Sequence, residues 1–357
     1  MKPLLICGGI GKKMWPMSRK KMPKHFLPLV NGKSLYQINF ETLRRKFKPE
    51  EIYIQTTKDQ AKNALKQSPG VPRENCFIEP ELRDHGPAMG LMAAKLSRID
   101  PDEPFTLVQV DVLRNPRNDY LRTIEQIEVM VKKEGKLITG GIRLDYPAMG
   151  VDYLKTTGKG KKSDGVKFLQ VDKYIDRKVG RKRIEKLFKQ RLILTHANHY
   201  SWTPRLFLEE YKKYAPDWYQ PIKKIMKALG SANEERVVKQ EYAKMKPDRV
   251  ERVTQHVFDD GYVVELPFKW TDFGTWESMY KYETDRGVYK PDENLLEINT
   301  KNCYVKKGPK NFIALIGVQD LAVIDTDDAL LVCKIDQAAK VKDVITYLKK
   351  KKKVEYL

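Results

Sequence analysis

The sequence predicts a three-layer α/β domain built on a mixed, mostly parallel sheet, followed by a small C-terminal β module and a terminal helix. Three observations carry this reading. Strand-sized apolar runs alternate with helix-sized amphipathic segments, a glycine-rich turn directly follows the first of those runs, and the rhythm changes after about Tyr289 to short strands spaced by turns. The expected division is therefore 1–288 for the larger domain and 289–357 for the short-strand, β-helix-like module with its helix.

The elements justify themselves in order. Pro3 to Cys7 is a buried strand, and Ser34 to Arg44 is a helix that carries Leu35, Ile38, Phe40 and Leu43. Glu51 to Thr56 alternates as a second strand, Gln60 to Lys66 suits a helix, and Cys76-Phe77-Ile78 is a third strand. Pro87 to Arg98 places Ala88, Leu91, Met92 and Leu96 on or near one helical face, ahead of a central strand from Phe105 to Val110. Strands separated by helices need both faces of a sheet covered, which favours parallel pairing. Leu121 to Lys133 and Leu137 to Ile142 continue the alternation. The run between Lys155 and Gly165, rich in Gly, Lys and Ser, supplies nothing to a core and reads as a flexible loop or hairpin tip. Val166 to Val171 and Leu192 to Thr195 resume as strands, and Pro204 to Ala215 is an aromatic-rich helix. Beyond Tyr289 come short strands at 295–298, 303–305, 312–316, 321–324 and 329–332, and a final helix from Ala338 to Lys352 with Val341, Val344, Ile345 and Leu348 at helical spacing. Such a stripe packs against its own domain or against a partner chain, so a homodimer is one expectation.

Composition excludes several classes. With 41% hydrophobic residues and 18 Tyr, 12 Phe and 5 Trp, the chain has the apolar and aromatic content that disordered chains lack. No apolar run approaches the roughly 20 residues of a membrane span. Glycines and lysines break the apolar segment after Cys7 where a signal peptide would continue, so a cytoplasmic location without membrane attachment is expected. The four cysteines are far apart and form no CxxC pair, which argues for free thiols and against structural zinc. A net charge of +21 raises a polyanionic partner, but the basic residues are spread along the chain without a nucleic-acid motif. A solvated lysine-rich surface accounts for them, and nucleic acid is not the expected partner.

The chemistry gathers at Cys7-Gly8-Gly9-Ile10-Gly11-Lys12-Lys13-Met14-Trp15-Pro16-Met17-Ser18-Arg19, followed by Pro23-Lys24-His25-Phe26-Leu27. Glycines directly after a buried strand let backbone N–H groups approach phosphate oxygens, and the neighbouring lysines neutralise them. The segment lacks the Gly-Lys-Ser/Thr of a Walker loop, and Trp15-Pro16 breaks a dinucleotide fingerprint where its helix should continue. Read alone, the glycines fit a tight turn as well as a phosphate cradle, and Asp111 fits a strand-end cap as well as a metal ligand.

Taken together, these segments resemble the sugar-1-phosphate nucleotidyltransferases, and within them the mannose-1-phosphate guanylyltransferases. Their pattern runs Gly-Gly-x-Gly-Thr-Arg-Leu-Trp-Pro-Leu-Ser-Arg and then Pro-Lys-x-Phe-Leu. The resemblance continues at Glu79-Pro80, at Arg83-Asp84-His85-Gly86-Pro87-Ala88, at the strand ending in Asp111, and at Trp270-Thr271-Asp272-Phe273-Gly274-Thr275-Trp276. It spans nearly the whole chain and corresponds to the short form, without the added isomerase domain. It implies a Rossmann-like three-layer domain that joins GTP and mannose-1-phosphate into GDP-mannose with release of pyrophosphate. It further implies Mg²⁺ held by Asp111 and Asp272, and Gly8, Gly9, Gly11, Lys12, Glu79 and Arg83 around the nucleotide. Lys13 stands where the family carries the arginine that steadies the leaving group, Lys24 matches the phosphate-contacting lysine, and Lys173 sits near the lysine that holds the sugar phosphate.

Departures concentrate on the sugar side. The sugar-loop signature reads Met149-Gly150-Val151-Asp152-Tyr153, the segment that should bind sugar reads Thr195-His196-Ala197-Asn198-His199, and a third family segment reads Val250-Glu251-Arg252-Val253-Thr254-Gln255-His256-Val257, where only Glu251 and the strand character persist. The phosphate and metal positions are retained more fully, so the acceptor is less firmly implied than the reaction. The alternatives are a nucleotidyltransferase for another sugar-1-phosphate, or a diverged non-catalytic protein that binds nucleotide sugars and regulates. His196 and His199 are read as hydrogen-bonding groups of the sugar pocket rather than as zinc ligands.

Overall fold

The computed structural model describes residues 1–9, 11–308 and 310–357, and Ile10, within the predicted glycine turn, lies outside them. The chain divides into two compact units, one formed by Met1–Gly8, Asn39–Val110 and Arg114–Trp270, the other by Gly9–Ile38, Asp111–Leu113 and Thr271–Leu357.

The first unit is built on strands β1 (Lys2–Ile6), β2 (Tyr53–Thr57), β3 (Cys76–Glu79), β4 (Phe105–Gln109), β6 (Ile138–Ile142), β7 (Tyr153–Ser163), β8 (Val166–Ile175), β9 (Ile193–Trp202) and β10 (Tyr262–Glu265). The short β5 (Val112–Asn115) and β11 (Lys269–Asp272) lie where the chain passes from one unit to the other. The nine strands form one sheet in the order β3-β2-β1-β4-β9-β6-β10-β8-β7. Its first four strands are parallel, as buried apolar runs joined by helices require. Leu4 and Leu5, which point to opposite faces of β1, are both fully buried, so helices cover the sheet on both sides. Beyond β4 the pairing is mixed: β9 is antiparallel to β4 and β6, β6 is parallel to β10, and β8 is antiparallel to β10 and β7. Tyr153–Lys155 of β7 also pair with Ile193–Thr195 of β9, which curls this half of the sheet back on itself.

The helix His85–Ile99 shows why small residues recur along it. A Cβ on Gly86 would lie 2.2 Å from the Trp218 ring, and one on Gly90 would lie 2.4 Å from Ile222. These glycines therefore let the helix Pro216–Ala228 approach closely, and Tyr211 seals the contact by donating to the Gly86 carbonyl at 2.7 Å. Of the two expectations for 155–165, a flexible loop or a hairpin tip, the second holds: β7 continues to Ser163, opposite Val166, and Asp164 and Gly165 turn at the end of the β7–β8 hairpin. Its side chains from Thr157 to Lys162 are exposed, so backbone pairing with β8 orders it without any apolar signal in the sequence.

The second unit carries β12 (Leu295–Ile298), β13 (Tyr304–Lys306), β14 (Ile313–Ile316), β15 (Leu321–Asp325) and β16 (Leu330–Lys334). β12 pairs in parallel with β14 and β13 with β15, the stacked pairing of a short β-helix, while β16 closes antiparallel on β15. The terminal helix is shorter than its stripe predicts: Ile335–Lys340 is a 3₁₀ turn and Val341–Lys350 the α-helix. Val341, Ile345 and Leu348 are buried in the unit's own core with Met14, Trp15, Trp276, Tyr304 and Ile324. The chain itself thus covers the stripe that would otherwise suggest a partner. Cys7, Cys76 and Cys303 are buried and Cys333 half-buried, all as free thiols. Among the described residues no helix is long and apolar enough to cross a membrane.

Candidate active site

In the second unit the glycine turn leads into a 3₁₀ turn, Lys12–Met14, whose N-cap Gly11 has φ +70°. A side chain here would be strained, and its Cβ would fall 2.8 Å from Lys24 Cγ and 3.0 Å from Ser18 Oγ. Met14 and Trp15 are buried behind the turn, which leaves Lys12 and Lys13 exposed. The Trp276 indole N–H donates to the Trp15 carbonyl, and the Trp15 indole N–H donates to the Tyr356 carbonyl, each at 2.9 Å. Two tryptophans therefore fix the turn on the unit's core.

Pro23 opens the next 3₁₀ turn, Lys24–Phe26, and Phe26 packs inward beside Tyr36. Lys24 itself is only 8% exposed. Its ammonium lies 3.1 Å from Asp111 Oδ2 and 3.3 Å from Asp272 Oδ1, and donates to the Phe273 carbonyl at 3.3 Å. Asp111 stands in the turn between β4 and β5, and Asp272 ends β11. The chain after Asp272 is held by a reciprocal cap: Thr275 Oγ1 accepts from the Ser278 N–H, and Ser278 Oγ accepts from the Thr275 N–H. Gly274 passes close to the Asp272 carboxylate, where a Cβ would sit 3.4 Å from Oδ2.

Electrostatics distinguishes the two acids. Burial works against the Lys24 charge, but the carboxylates of Asp111 and Asp272 outweigh it and hold its pKa above the usual lysine value. Lost hydration opposes ionisation of Asp111, yet Lys24, assisted by His25, keeps its pKa below the ordinary value. Asp272 is raised, first by lost hydration and then by the Asp111 charge, against the pull of Lys24 and Lys13. The two carboxylates thus converge on a point that a cation already occupies. This donor set suits Mg²⁺, which takes hard oxygen ligands and is commonly held by one or two carboxylates with phosphate and water completing its shell. Among the described residues no group of three or more acidic, histidine or cysteine side chains forms a fuller cage.

Gly8, Glu79, Arg83 and Lys173 belong to the first unit. The Gly8 carbonyl accepts from Gln60 Nε2 at 3.3 Å. Glu79 is 4% exposed and accepts from Gln55 Nε2 at 3.2 Å and from the Tyr242 hydroxyl at 3.1 Å. Burial pushes its carboxyl up to about 7, against both hydrogen bonds. Arg83 is tied to Glu81 at 2.8 and 2.9 Å and to the Met245 carbonyl at 2.7 Å. Lys173 is exposed on β8, opposite Lys155.

A second cluster in this unit gathers residues of the altered segments, of which 250–257, expected to keep strand character, instead holds a short helix, Glu251–Thr254. Asp152, 4% exposed, accepts from the Arg177 backbone N–H at 2.9 Å, from the Arg177 guanidinium, and from Arg249 Nη2 at 2.6 Å. Arg249 Nε lies 3.3 Å from Glu251 Oε2, and the Tyr200 hydroxyl donates to Glu251 Oε1 at 3.2 Å. Burial disfavours the Asp152 charge, but the Arg177 hydrogen bonds more than compensate and hold its pKa low. His196 packs edge-on against Tyr200 and Phe258, places Nε2 2.9 Å from Thr139 Oγ1, and is pushed by burial down to about 3. His199 turns away to Thr106 and is lowered, chiefly by burial, to about 3 as well. The signal available in the sequence was the set of departures itself, because Asp152, His196 and Glu251 come from the three altered segments.

Residues 2–145 match the nucleotidyl transferase family model, and residues 293–348 match the MannoseP isomerase/GMP-like beta-helix domain. The chain is 27% identical to a mannose-1-phosphate guanylyltransferase of Salmonella muenchen, across 99% of this chain and 74% of that protein. It is 26% identical to a mannose-1-phosphate guanylyltransferase of Escherichia coli, across 99% and 75%. Its fold superposes on a Thermus thermophilus structure described as a mannose-1-phosphate geranyltransferase, with a TM-score of 0.79, 21% identity, and coverage of 98% of this chain and 100% of that one. With a nucleotidyl transferase region and a β-helix domain, this chain is along 99% of its length a homologue of proteins named mannose-1-phosphate guanylyltransferase, of which the match covers about three quarters.

Proposed function

We propose that this chain transfers the guanylyl group of GTP to mannose-1-phosphate, giving GDP-mannose and pyrophosphate in the cytoplasm, with Mg²⁺ held by Asp111 and Asp272. The observation that carries the reading is the Lys24–Asp111–Asp272 cluster beside the glycine turn. Bound there, the metal would offset the charge that gathers on the α-phosphate and the departing pyrophosphate.

The chain's own residues account for the rest. Backbone N–H groups of Gly8, Gly9 and Gly11 receive triphosphate oxygens, and Lys12 and Lys13 neutralise them from the exposed side of the turn. Lys13 supplies charge without the planar fork of an arginine, so it steadies the leaving group as a point charge. Lys24 contacts phosphate, and Lys173 holds the sugar phosphate. The acceptor arrives as an anion, so its phosphate oxygen attacks the α-phosphorus without a general base. Catalysis then rests on positioning and electrostatics.

One observation favours another sugar-1-phosphate as acceptor. The three altered segments are joined in one network through Asp152, Arg249, Glu251, Tyr200 and His196, so the sugar-side departures are mutually adjusted. Pyrophosphate release with Mg²⁺, crossing GTP and ATP with mannose-1-phosphate, glucose-1-phosphate and fucose-1-phosphate, tests both readings. Turnover requiring GTP and mannose-1-phosphate is the expected result. Turnover with a different sugar would reassign the acceptor, and silence with tight nucleotide-sugar binding would make the chain a regulatory binder.

A further inference from the structure

Lys24 sits where a cation bound by the two aspartates would have to go. Its ammonium spans Asp111 Oδ2 and Asp272 Oδ1 at 3.1 and 3.3 Å, and the Phe273 carbonyl supplies a third acceptor. Mg²⁺ binds oxygen at about 2.0–2.1 Å, so it draws its ligands closer than an ammonium does. A metal drawn to the same two carboxylates would stand a few ångströms from the ammonium, and like charges at that range repel strongly in a partly desolvated site.

The backbone limits where the lysine can move. Gly11 runs against its stem, with a hypothetical Gly11 Cβ 2.8 Å from Lys24 Cγ and 2.9 Å from Lys24 Cβ. The stem is thereby held beside the glycine turn. A head group released from the aspartates stays next to the turn where triphosphate oxygens are proposed to bind.

We propose that Lys24 is the resident counter-cation of the Asp111–Asp272 pair, and that a divalent metal enters by displacing it, freeing the lysine for phosphate. The lysine holds the carboxylates together before metal arrives and weakens metal binding until phosphate offers its ammonium another partner. Metal and nucleotide then bind with positive coupling through one side chain. This inference rests on the proposed metal site.

Calorimetric titration of the full chain with Mn²⁺, without nucleotide, tests it on the native protein, Lys24→Met and Asp111→Asn. Methionine keeps an unbranched apolar stem, one atom shorter than the lysine side chain, and removes the charge. Lys24→Met is expected to bind Mn²⁺ at least about tenfold more tightly than the native chain, and Asp111→Asn to lose most of the binding. Equal or weaker binding by Lys24→Met, with binding lost in Asp111→Asn, overturns the displacement and leaves the metal site standing. Native-like binding by Asp111→Asn overturns both. A second readout needs no variant: acetylation of Lys24 in the native chain, measured by peptide mass spectrometry, should rise several-fold when Mn²⁺ is added. Unchanged reactivity at saturating Mn²⁺ overturns the proposal.

Discussion

Replacing Glu79 with glutamine isolates the energetic cost of a buried carboxylate. Glu79 is 4% exposed at the end of β3, and its oxygens accept from neutral donors, the Gln55 amide and the Tyr242 hydroxyl. Neither donor carries a compensating charge, so burial carries its pKa from the ordinary 4.5 to about 7. The folded chain therefore keeps this proton at pH values where the unfolded chain has lost it. Below about pH 4.5 both states are protonated and the group is neutral in the balance. As pH rises from 4.5 towards 7 the unfolded state ionises first and gains free energy, so stability falls, and above 7 the loss levels off. At about 1.4 kcal/mol per pH unit, that gap corresponds to about 3 kcal/mol. Glu79→Gln keeps the shape without an ionisable group: its amide oxygen accepts from the Gln55 amide, and its NH2 reverses the second bond by donating to the Tyr242 hydroxyl. Urea denaturation of both chains at pH 5 and pH 8 should show the variant gaining on the native chain by about 2–3 kcal/mol between the two values. Taking the difference between chains cancels every other titrating group. Parallel pH profiles would refute the reasoning and place an unrecognised cation or water path beside Glu79.

Three further outcomes follow from the same geometry. Gly11→Ala adds a left-handed strain of about 1–2 kcal/mol and a clash with the Lys24 stem of about 1–3 kcal/mol, so it should lower the urea midpoint and disturb Lys24, and an unchanged midpoint contradicts the turn geometry. His196 and His199, both neutral in the fold with values near 3, should show no ring titration by NMR between pH 8 and pH 5, and their contribution makes stability rise with pH across the unfolded histidine range, since the unfolded chain binds the extra protons. Arg249→Met leaves Glu251 without its guanidinium and Asp152 with Arg177 alone; a loss of about 2 kcal/mol in urea denaturation is expected, below the full cost of breaking a buried pair because Arg249 is partly exposed.

What the sequence made legible follows from how local each signal is. β1 and the turn after it were readable because a short buried run and its glycines are adjacent in the chain. The strands from 295 to 334 were readable because each is bounded by turn residues. The residues between Lys155 and Ser163 hide their strand, since a two-sided exposed ribbon needs only backbone pairing and leaves no alternation. The helix Pro216–Ala228 is obscured by Pro221 inside it. At the site, the glycines and lysines mark a tight turn that fits a phosphate cradle equally well, whereas Asp111 and Asp272 become a pair only through folding. Nothing in their local patterns separates a ligand from a cap, and the resemblance to known transferases alone suggested that they act together. The pairing of Asp152, Arg249 and Glu251 was hidden for the same reason, because an ion pair between distant segments leaves no periodicity in any of them, and only the departures from the family pattern marked two of the three segments.

The proposed transfer is tested most directly by following label from α-³²P GTP to mannose-1-phosphate with Mg²⁺ in the native chain, Asp111→Asn and Asp272→Asn. The prediction is labelled GDP-mannose in step with pyrophosphate from the native chain and a loss of about a hundredfold or more in each variant. Label transfer that survives in both variants, or none from the native chain under conditions where it binds GTP, would contradict it.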